Sequence, residues 1–461
     1  MMSIDPSKFL TSTLSQAPVG PSICRILAAA IDAVDPYTAV TKYFKRDGNL
    51  LICDQQTINL DDVNRTIVIG IGKACLPMSL AVYDQLSTYF TQGVVLTKDG
   101  YGNLPDGYAI PPELLIVEAG HPLPDSRGIS GTQNIIDLLH TTNEQDLIIF
   151  LISGGGSALL TSPANGISIE DLQKLTSALL SCGATIQEIN YIRKHLDTVK
   201  GGQLARIAYP SRVISLILSD VIGDSLDIIA SGPLVPDPST YHDAISILNK
   251  YDQLKSIPTA VESFLEKGMA GLLPDTPKFN DPVFKNIHNT IVGNNHQAAT
   301  AAFIQARTEG FNPLILTNYL QGEARHVGTV VASIALQLAL KNQPVSRPAC
   351  LVLGGETTVT LTGKGVGGRN QELVMGCVEP LAGIERTIVV SLATDGGDGP
   401  TDAAGAVVTG DTNRNARILG LSPNQYLQHN NSYNFFNTLS DLIKTGPTKT
   451  NVNDLVFIFT Y

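Results

Sequence analysis

The sequence predicts an α/β protein with a parallel sheet in its N-terminal part and a smaller C-terminal α/β domain that contains a mixed sheet. Short β-branched runs alternate with longer amphipathic stretches, which is typical of strands and helices arranged in layers. Most of these runs are continuously apolar, as buried parallel strands are. Residues 357–362 instead alternate polar and apolar side chains, which predicts an antiparallel strand with one face in water.

The individual elements follow from the same patterns. A helix is expected after Ser168, because Ser168 and Asp171 have the spacing of a capping box and three leucines follow at helical spacing. The stretch 250–286 is rich in Pro, Lys and Asp and predicts a linker with a helix, so we expect the domains to be 1–286 and 287–461. The expected strands are 66–69, 94–97, 115–117, 147–152, 213–218, 290–292, 314–317, 350–353, 357–361, 388–392 and 456–459.

Composition and charge exclude several classes of protein. The 461 residues include 31 Lys and Arg against 42 Asp and Glu, which gives a net charge of −11. Such an acidic chain is a poor general binder of nucleic acid or of an anionic membrane. The six cysteines contain no C-x-x-C pair, which fits a reducing compartment. The purest apolar run, residues 147–152, is far too short to span a bilayer, so the sequence predicts a cytoplasmic protein without a membrane partner.

Glycine-rich turns follow two of the expected strands. The first, Gly70 to Ala74, has the sequence GIGKA and indicates either an anion site or a tight turn with a surface lysine. It is not a P-loop, because Ala74 stands where Ser or Thr would hold magnesium, and Cys75 leaves the dinucleotide fingerprint incomplete. The second, Ser153 to Ser157, has the sequence SGGGS, and we interpret it as a nest of backbone N–H groups for phosphate. A structural loop and a serine nucleophile are the alternatives for this second turn.

Charged side chains cluster in further motifs. Basic residues between Asn190 and Gly202 indicate either an anion site or a solvated helix face. Asp220 and Asp224 follow an apolar strand and are candidates either for magnesium or for turn and N-cap chemistry. The glycine run 363–368 ends in Arg-Asn-Gln-Glu, where Arg369 can bind a carboxylate or a phosphate in bidentate fashion.

A last acidic segment follows the strand expected at 388–392. It contains Asp395, Asp398 and Asp402, which could bind a cation or form an acidic turn. Taken together, the residues supply anion-binding turns, carboxylates for a divalent cation and several Lys and Arg side chains. Those are the parts that phosphoryl transfer needs.

A family resemblance covers nearly the whole chain. The sequence resembles the class II glycerate 2-kinases, whose C-terminal part is called the MOFRL domain. The blocks that carry the resemblance are GIGKA (70–74), TKDGYG (97–102), EAGHPLPDSRG (118–128), LISGGGSALL (151–160), INYIRKHLDTVKGG (189–202), SDVIGDSLDIIASGP (219–233), IVGNN (291–295), GGETTVTLTGKGVGGRNQEL (354–373), ATDGGDGPTDAAGA (393–406) and TGPTKTNVND (445–454).

The resemblance implies a fold and an activity. It implies a Rossmann-like N-terminal domain, a C-terminal MOFRL-type domain and an active site in the cleft between them. The implied reaction is the ATP- and magnesium-dependent phosphorylation of D-glycerate at its 2-hydroxyl. The expected partners are these small molecules, and a homodimer is left open. The alternatives are an NAD(P)H-dependent hydroxypyruvate reductase and a nucleotide-binding sensor without catalytic activity.

The resemblance marks Lys73 and Arg369 as important, and we expect roles for further residues of the same motifs. Lys73, Arg369 and Asp220 are the expected catalytic groups, with Asp220 either binding magnesium or orienting the hydroxyl. The expected substrate-binding residues are Ser153, Arg193, Asn370 and Glu372. The expected nucleotide-binding residues are Gly154, Gly155, Gly156, Ser157, Lys200, Gly201 and Asn294, and the expected metal ligands are Asp220, Asp395 and Asp398.

Overall fold

The computed structural model describes residues 3–103, 108, 111–252 and 257–461. Residues 253–256, which belong to the predicted linker and helix segment, lie outside the described part. The helices are α1 (Ser12–Gln16), α2 (Gly20–Asp32), α3 (Pro36–Tyr43), α4 (Cys75–Leu86), α5 (Ser126–His140), α6 (Gly156–Leu159), α7 (Ile169–Ser181), α8 (Ile186–His195), α9 (Gln203–Ala208), α10 (Tyr241–Lys250), α11 (Thr259–Met269), α12 (Asn295–Thr308), α13 (Ala324–Lys341), α14 (Arg369–Cys377), α15 (Thr412–Ile418), α16 (Pro423–Gln428) and α17 (Ser432–Leu439).

The strands alternate with these helices over most of the chain. They are β1 (Phe44–Asp47), β2 (Leu50–Cys53), β3 (Gln56–Asn59), β4 (Thr66–Ile71), β5 (Phe90–Lys98), β6 (Leu114–Ala119), β7 (Leu147–Ile152), β8 (Arg212–Leu218), β9 (Ile287–Gly293), β10 (Asn312–Leu320), β11 (Ala349–Gly355), β12 (Thr387–Ala393), β13 (Gly405–Thr409), β14 (Leu442–Ile443) and β15 (Asp454–Thr460).

The described chain divides into two units, and each is built on its own six-stranded sheet. The parallel-sheet unit comprises Ala39–Ser219 and Asp224–Val292. The mixed-sheet unit comprises residues 3–38 together with Asp220–Gly223 and Gly293–Tyr461. The N-terminal helix α2 therefore packs on α12 of the C-terminal half. The division expected from the sequence, at residues 286 and 287, stays a prediction.

The parallel-sheet unit contains the predicted N-terminal fold. Its strands lie in the order β6-β5-β4-β7-β8-β9 and form a parallel sheet. Strands β4 and β7 are neighbours in register, from Thr66 opposite Leu147 to Ile71 opposite Ile152. Both strands are buried along their whole length, which explains their continuous apolar sequence. Helices α4 and α5 cover this sheet, and the separate antiparallel sheet β1-β2-β3 was not predicted.

The mixed-sheet unit confirms the predicted C-terminal sheet type. Its strands lie in the order β10-β11-β15-β12-β13-β14. Only the β10–β11 pair is parallel among the described pairings of this sheet, and the others are antiparallel. Its core packs helices α13, α14 and α17 against this sheet around buried side chains such as Leu351, Val374 and Phe436.

The antiparallel strand predicted at residues 357–361 is wrong. Thr358 forms one isolated parallel bridge with Glu323 and no ladder. The backbone N–H of Thr360 donates to the Glu323 carboxylate at 3.0 Å, and that of Thr362 donates to Asn430 Oδ1 at 2.8 Å. Because side chains satisfy these donors, the alternating segment needs no neighbouring strand.

The predicted helix after Ser168 is confirmed as α7. The Ser168 hydroxyl accepts from the Asp171 backbone N–H, and the Asp171 carboxylate accepts from the Ser168 N–H, so the capping box is complete. The leucines of this helix that are buried are Leu172, Leu175 and Leu179. Within the described residues, no helix combines the length and the apolar composition needed to cross a membrane.

Candidate active site

Two glycine-containing turns meet at the carboxyl edge of the parallel sheet. One follows β4 and the other follows β7, and the strands are neighbours, so the turns lie side by side. The backbone N–H of Lys73 donates to Gly154 O at 3.0 Å, and that of Ala74 donates to Ser153 Oγ at 2.9 Å. Gly72 has a φ of +122°, and a Cβ there would lie 2.4 Å from Ser153 O, so only glycine allows this approach. The structure thus brings Lys73 to the predicted phosphate turn.

The turn after β7 offers unused backbone donors. In the described part of the chain, the N–H groups of Gly154 and Gly155 donate to no protein atom. Gly154 is nevertheless buried, and a buried N–H without an acceptor is rare. Ser153 is also buried, and its hydroxyl accepts from Ala74. The geometry therefore fits an anion held by backbone N–H groups, with Ser153 fixing the turn.

Two further side chains at this edge were given no role from the sequence. Lys98 ends β5, and His121 lies two residues beyond the end of β6. A Cβ on Gly155 would lie 3.2 Å from His121 Nε2 and 3.5 Å from Lys73 Cε, so the imidazole and Lys73 flank the turn. Burial, together with the charges of Lys73 and Lys98, lowers the pKa of His121 to about 4. The signal available in the sequence was that Lys98 and His121 each lie at or just after the end of a strand. The sequence does not show that these two strands are neighbours in the sheet.

The basic side chains of α8 and of the loop after it make different contacts. Arg193 Nη2 donates to Ser157 O at 3.5 Å, and burial lowers the pKa of Arg193. Lys200 Nζ donates to Leu160 O at 2.5 Å and to Asp197 Oδ2 at 2.9 Å, and the residue is only 1% exposed. Arg193 and Lys200 line a cavity of about 50 Å³. Lys200 therefore acts first as an internal ion-pair partner.

A strained segment packs against the turn that follows β7. Ala230 has a φ of 49° and Ser231 a φ of 62°, which are left-handed conformations that non-glycine residues rarely adopt. The hydroxyls of Ser157 and Ser231 lie 2.7 Å apart, and Ser231 Oγ donates to Asn190 Oδ1 at 3.3 Å. The Gly201 N–H donates to Ser231 O at 2.9 Å. Ser157 and Gly201 are thus joined through one buried serine.

Arg369 is the central cation of the mixed-sheet unit. Its Nε and Nη2 donate to the two Asp454 carboxylate oxygens at 2.5 and 3.0 Å, and its Nη1 lies 3.0 Å from Glu356 Oε1. These carboxylates raise the pKa of Arg369, so it stays a cation. Burial is the main cause that raises the pKa of Glu356. Asn295 Nδ2 donates to the backbone oxygens of Val452 and Asp454, which fixes the start of β15.

Arg369 and Glu356 line a large cavity within the mixed-sheet unit. Its volume is about 730 Å³, which is within the size range of small-molecule sites. The glycine run between β11 and α14 forms part of the wall, as expected for a loop around a ligand. The other lining residues include Gln321, Thr357, Val359, Leu361, Gly367, Gly368, Glu372, Pro400 and Asn430.

Three predicted site residues of this unit make internal hydrogen bonds. Asp398 is 1% exposed and accepts the backbone N–H groups of Asn370 and Gln371 at 3.1 and 2.9 Å, so it caps α14. Burial raises the pKa of Asp398 to about 6. Asn370 Oδ1 accepts from Ser391 Oγ at 2.6 Å. Glu372 pairs with Arg325. Asn370, Glu372 and Asp398 hold α14 in place and thereby position Arg369 at its first turn.

The remaining predicted residues are Asp220, Asp395 and Asn294. Asp220 and Asp395 both act electrostatically on Glu356, which places them in the surroundings of Arg369. Asp395 Oδ1 accepts the Gly397 N–H at 3.1 Å. Asn294 caps α12 by accepting the Gln297 N–H. Among the described residues, no group of three His, Cys, Asp or Glu side chains is arranged to hold a metal by itself.

Comparisons with known proteins show which family the chain belongs to. Residues 22–266 match a family model described as a domain of unknown function, DUF4147, and residues 349–454 match the MOFRL family. The D-glycerate 2-kinase of Thermotoga maritima is 43% identical over 431 residues, which is 94% of this chain and 96% of the relative.

Two further comparisons extend this result. A protein of Agrobacterium vitis, provisionally named a hydroxypyruvate reductase, is 41% identical over 85% of this chain and 98% of its own. A crystal structure of Thermotoga maritima glycerate kinase superimposes with a TM-score of 0.83 at 41% identity, covering 95% of this chain and 98% of the other. The chain, which combines a DUF4147 region with a MOFRL region, therefore belongs to the glycerate 2-kinase family.

Proposed function

We propose that this protein transfers the γ-phosphoryl group of ATP to the 2-hydroxyl of D-glycerate, giving 2-phosphoglycerate and ADP. The observation that carries the proposal is the position of Lys73 beside the two unused N–H groups of the turn after β7. A cation and backbone donors at one place are what a transferring phosphoryl group requires, because its transition state carries charge on several oxygens.

The parallel-sheet unit supplies the phosphate-binding groups in this proposal. Gly154, Gly155, Gly156 and Ser157 surround the triphosphate oxygens, and Lys73 neutralises the transferring group. Arg193 adds a cation beside Ser157. Lys200 and Gly201 support this region through Asp197 and Ser231 rather than through direct contact. These assignments give each unit a distinct task.

The mixed-sheet unit supplies the acid-binding groups. Arg369 lines the 730 Å³ cavity and is the expected partner of the glycerate carboxylate. The substrate's 2-hydroxyl oxygen forms a bond to the γ-phosphorus while the bond from that phosphorus to the ADP oxygen breaks. The hydroxyl proton passes to water in the same process. A loose transition state makes little demand on a base, so no base needs to be assigned.

Magnesium fits Asp395 better than Asp398, and Asp220 is its second proposed ligand. Asp395 keeps Oδ2 without a hydrogen bond in the described part of the chain, whereas both Asp398 oxygens accept from α14. Magnesium commonly takes one or two carboxylates and completes its shell with water and phosphate oxygens. Bound there, it would neutralise charge on the triphosphate.

The second candidate function is hydroxypyruvate reduction, which the name of the Agrobacterium vitis relative raises. A nicotinamide enzyme of this fold type needs a complete glycine fingerprint after its first strand, and Cys75 interrupts that fingerprint. A nucleotide sensor without catalysis is the third candidate. It would bind ATP at the same turn and form no product.

One assay separates the three functions. The purified protein is incubated with ATP, magnesium and D-glycerate, and ADP is measured; a parallel reaction contains NADH or NADPH with hydroxypyruvate. We expect ADP only when D-glycerate is present and no oxidation of the reduced nicotinamide. Nicotinamide oxidation without ATP turnover would support the reductase and overturn the proposal. ATP binding without ADP from any hydroxy acid would support the sensor.

A further inference from the structure

His121 lies at the phosphate turn but has none of the contacts of a structural histidine. In the described part of the chain, neither of its ring nitrogens has a hydrogen-bond partner. His195 provides the contrast, because its Nδ1 contacts Tyr191 O at 2.7 Å and its Nε2 contacts Asp275 Oδ1 at 3.0 Å. His121 is not among the described residues with fully buried, unpaired side-chain nitrogens, so a ligand atom can reach its ring and form a hydrogen bond there.

The neighbours of His121 define what that partner is. A Cβ on Gly155 would lie 3.1 Å from His121 Cδ2 and 3.2 Å from Nε2, so the Nε2 edge of the ring faces the turn. Lys73 Cε lies 3.5 Å from the same point. The charged groups that act on the imidazole are Lys73 and Lys98, and both are cations. A ligand oxygen in this place would therefore have to be anionic or strongly polarised.

We propose that His121 is a ligand-binding residue whose imidazole donates its Nε2–H to an anionic oxygen seated between Lys73 and the turn after β7. The inference rests on the proposed function, because the anionic oxygen is that of the nucleoside triphosphate or of the hydroxy acid. Both ligands offer an anionic oxygen that can accept a hydrogen bond. The two binding measurements below distinguish them.

The imidazole acts in its neutral form at physiological pH. Burial and the two lysines oppose a third positive charge at this place, whereas a neutral ring can still donate one N–H. A neutral donor has an advantage here, since it adds a directional hydrogen bond without repelling Lys73.

The first test measures ligand binding by three variants of the full-length protein. His121→Phe removes the donor and keeps the ring shape, and His121→Gln keeps an N–H near the position of Nε2. His140→Gln, on the exposed end of α5, is the control. Dissociation constants are measured by calorimetry for a non-hydrolysable ATP analogue and, separately, for D-glycerate.

We expect His121→Phe to weaken the binding of one of the two ligands by at least about tenfold. That factor corresponds to the loss of one hydrogen bond to a charged group. His121→Gln should stay within about threefold of the wild type, as should His140→Gln. A loss confined to the ATP analogue assigns the oxygen to the triphosphate, and a loss confined to D-glycerate assigns it to the acid. Unchanged binding of both ligands by folded His121→Phe overturns the inference.

The second test keeps the inference falsifiable if His121→Phe does not fold. Histidine ring nitrogens are labelled with ¹⁵N in the wild-type protein, and His121→Gln identifies the His121 signals. We expect these signals to remain those of a neutral ring at pH 5.5, and one to shift on addition of the ligand. A protonated ring at pH 5.5, or signals that neither ligand moves, contradicts the inference.

A different outcome would contradict the proposed function alone. In that case the wild-type protein does not phosphorylate D-glycerate, but His121→Phe still binds the ATP analogue more weakly than the wild type does.

Discussion

Arg369 is a candidate for ligand recognition, and neighbouring carboxylates hold its side chain in place. Its guanidinium is held by Asp454 on one side, contacts Glu356 on the other and lines the large cavity. The sequence identified Arg369 through its motif, since bidentate recognition of an anion requires arginine. It did not identify Asp454 as the partner, because that residue lies 85 positions along the chain. Pairing at such a separation depends on how β11, β12 and β15 assemble.

The first prediction concerns Arg369 itself. Arg369→Ala should lower kcat/KM for D-glycerate phosphorylation by at least about 100-fold, since it removes a charge-assisted contact to the substrate or to the transferring group. Steady-state kinetics check this. Arg414→Ala, which removes an exposed arginine paired only with Asp411 in the described residues, should leave kcat/KM within about twofold. Near wild-type turnover by folded Arg369→Ala would refute the role.

Asp398 is a residue whose surroundings the sequence did not show. Its motif, rich in aspartate, predicted a metal ligand, and that role remains untested. In the structure its carboxylate caps α14, and burial raises its pKa to about 6. Burial is the property that a motif does not show, because the same three aspartates could equally form an exposed turn.

The second prediction follows from this raised pKa. Because the pKa of Asp398 in the folded state lies above its unfolded value of 3.8, its contribution to stability is present below pH 3.8 and is lost as the pH rises through about 6. The free energy of unfolding of Asp398→Asn, relative to wild type, should therefore rise between pH 4 and pH 7 by about 1 kcal/mol or more. Urea unfolding at several pH values measures it.

The control for this prediction is Asp402→Asn. Asp402 is 64% exposed, and its hydrogen bond from Tyr433 lowers its pKa, so it titrates below this pH window. Its relative free energy of unfolding should stay flat between pH 4 and pH 7. A flat profile for Asp398→Asn as well would contradict the role of burial.

At the scale of elements, the sequence predicted the buried strands well and the short antiparallel ones poorly. The strand predicted at 147–152 is confirmed with its bounds unchanged, because six apolar residues in a row leave little ambiguity. Strands β1 to β3 each have only four residues, and they differ in composition: β1 is mostly charged, β2 is apolar and β3 is mostly polar. Such short segments without a common pattern give a weak signal. The strand predicted at 357–361 failed because side chains of Glu323 and Asn430 take the backbone N–H groups.

The third prediction compares two glycines with the same backbone conformation. Gly155 and Gly166 both have a φ of 87°, but a Cβ on Gly155 would meet His121, whereas a Cβ on Gly166 would meet nothing within 4 Å. Alanine at either site should cost about 1 kcal/mol of stability through backbone strain. Gly155→Ala alone should also weaken binding of an ATP analogue by about tenfold or more, because it fills space at the turn. Equal binding by both variants would show that the turn after β7 holds no phosphate.

At the scale of the whole molecule, each of the two units contains residues from separate stretches of the chain. The sequence placed a boundary near residue 286 from composition, but the first helices lie with the C-terminal half. Local composition contains no signal for that, since α2 and α12 pack through residues far apart in sequence. The family resemblance predicted the fold type correctly because its motifs extend over both units.

The fourth prediction concerns the thiols of the whole protein. All six cysteines are free in the structure, and five of them are buried, with Cys182 the partly exposed one. Burial raises the pKa of Cys24 to about 11 and of Cys53 and Cys75 to about 12, which makes these thiols unreactive. A thiol reagent should label at most one cysteine rapidly in the native state and all six after unfolding. Rapid labelling of several native thiols would contradict the described packing.

The proposed regiochemistry is the claim on which the account of function depends most. The product of the ATP and D-glycerate reaction is passed to enolase, either alone or with phosphoglycerate mutase. The account predicts phosphoenolpyruvate with enolase alone, because 2-phosphoglycerate is the direct substrate of enolase. Phosphoenolpyruvate that forms only when the mutase is added would show phosphorylation at the 3-hydroxyl and contradict the account.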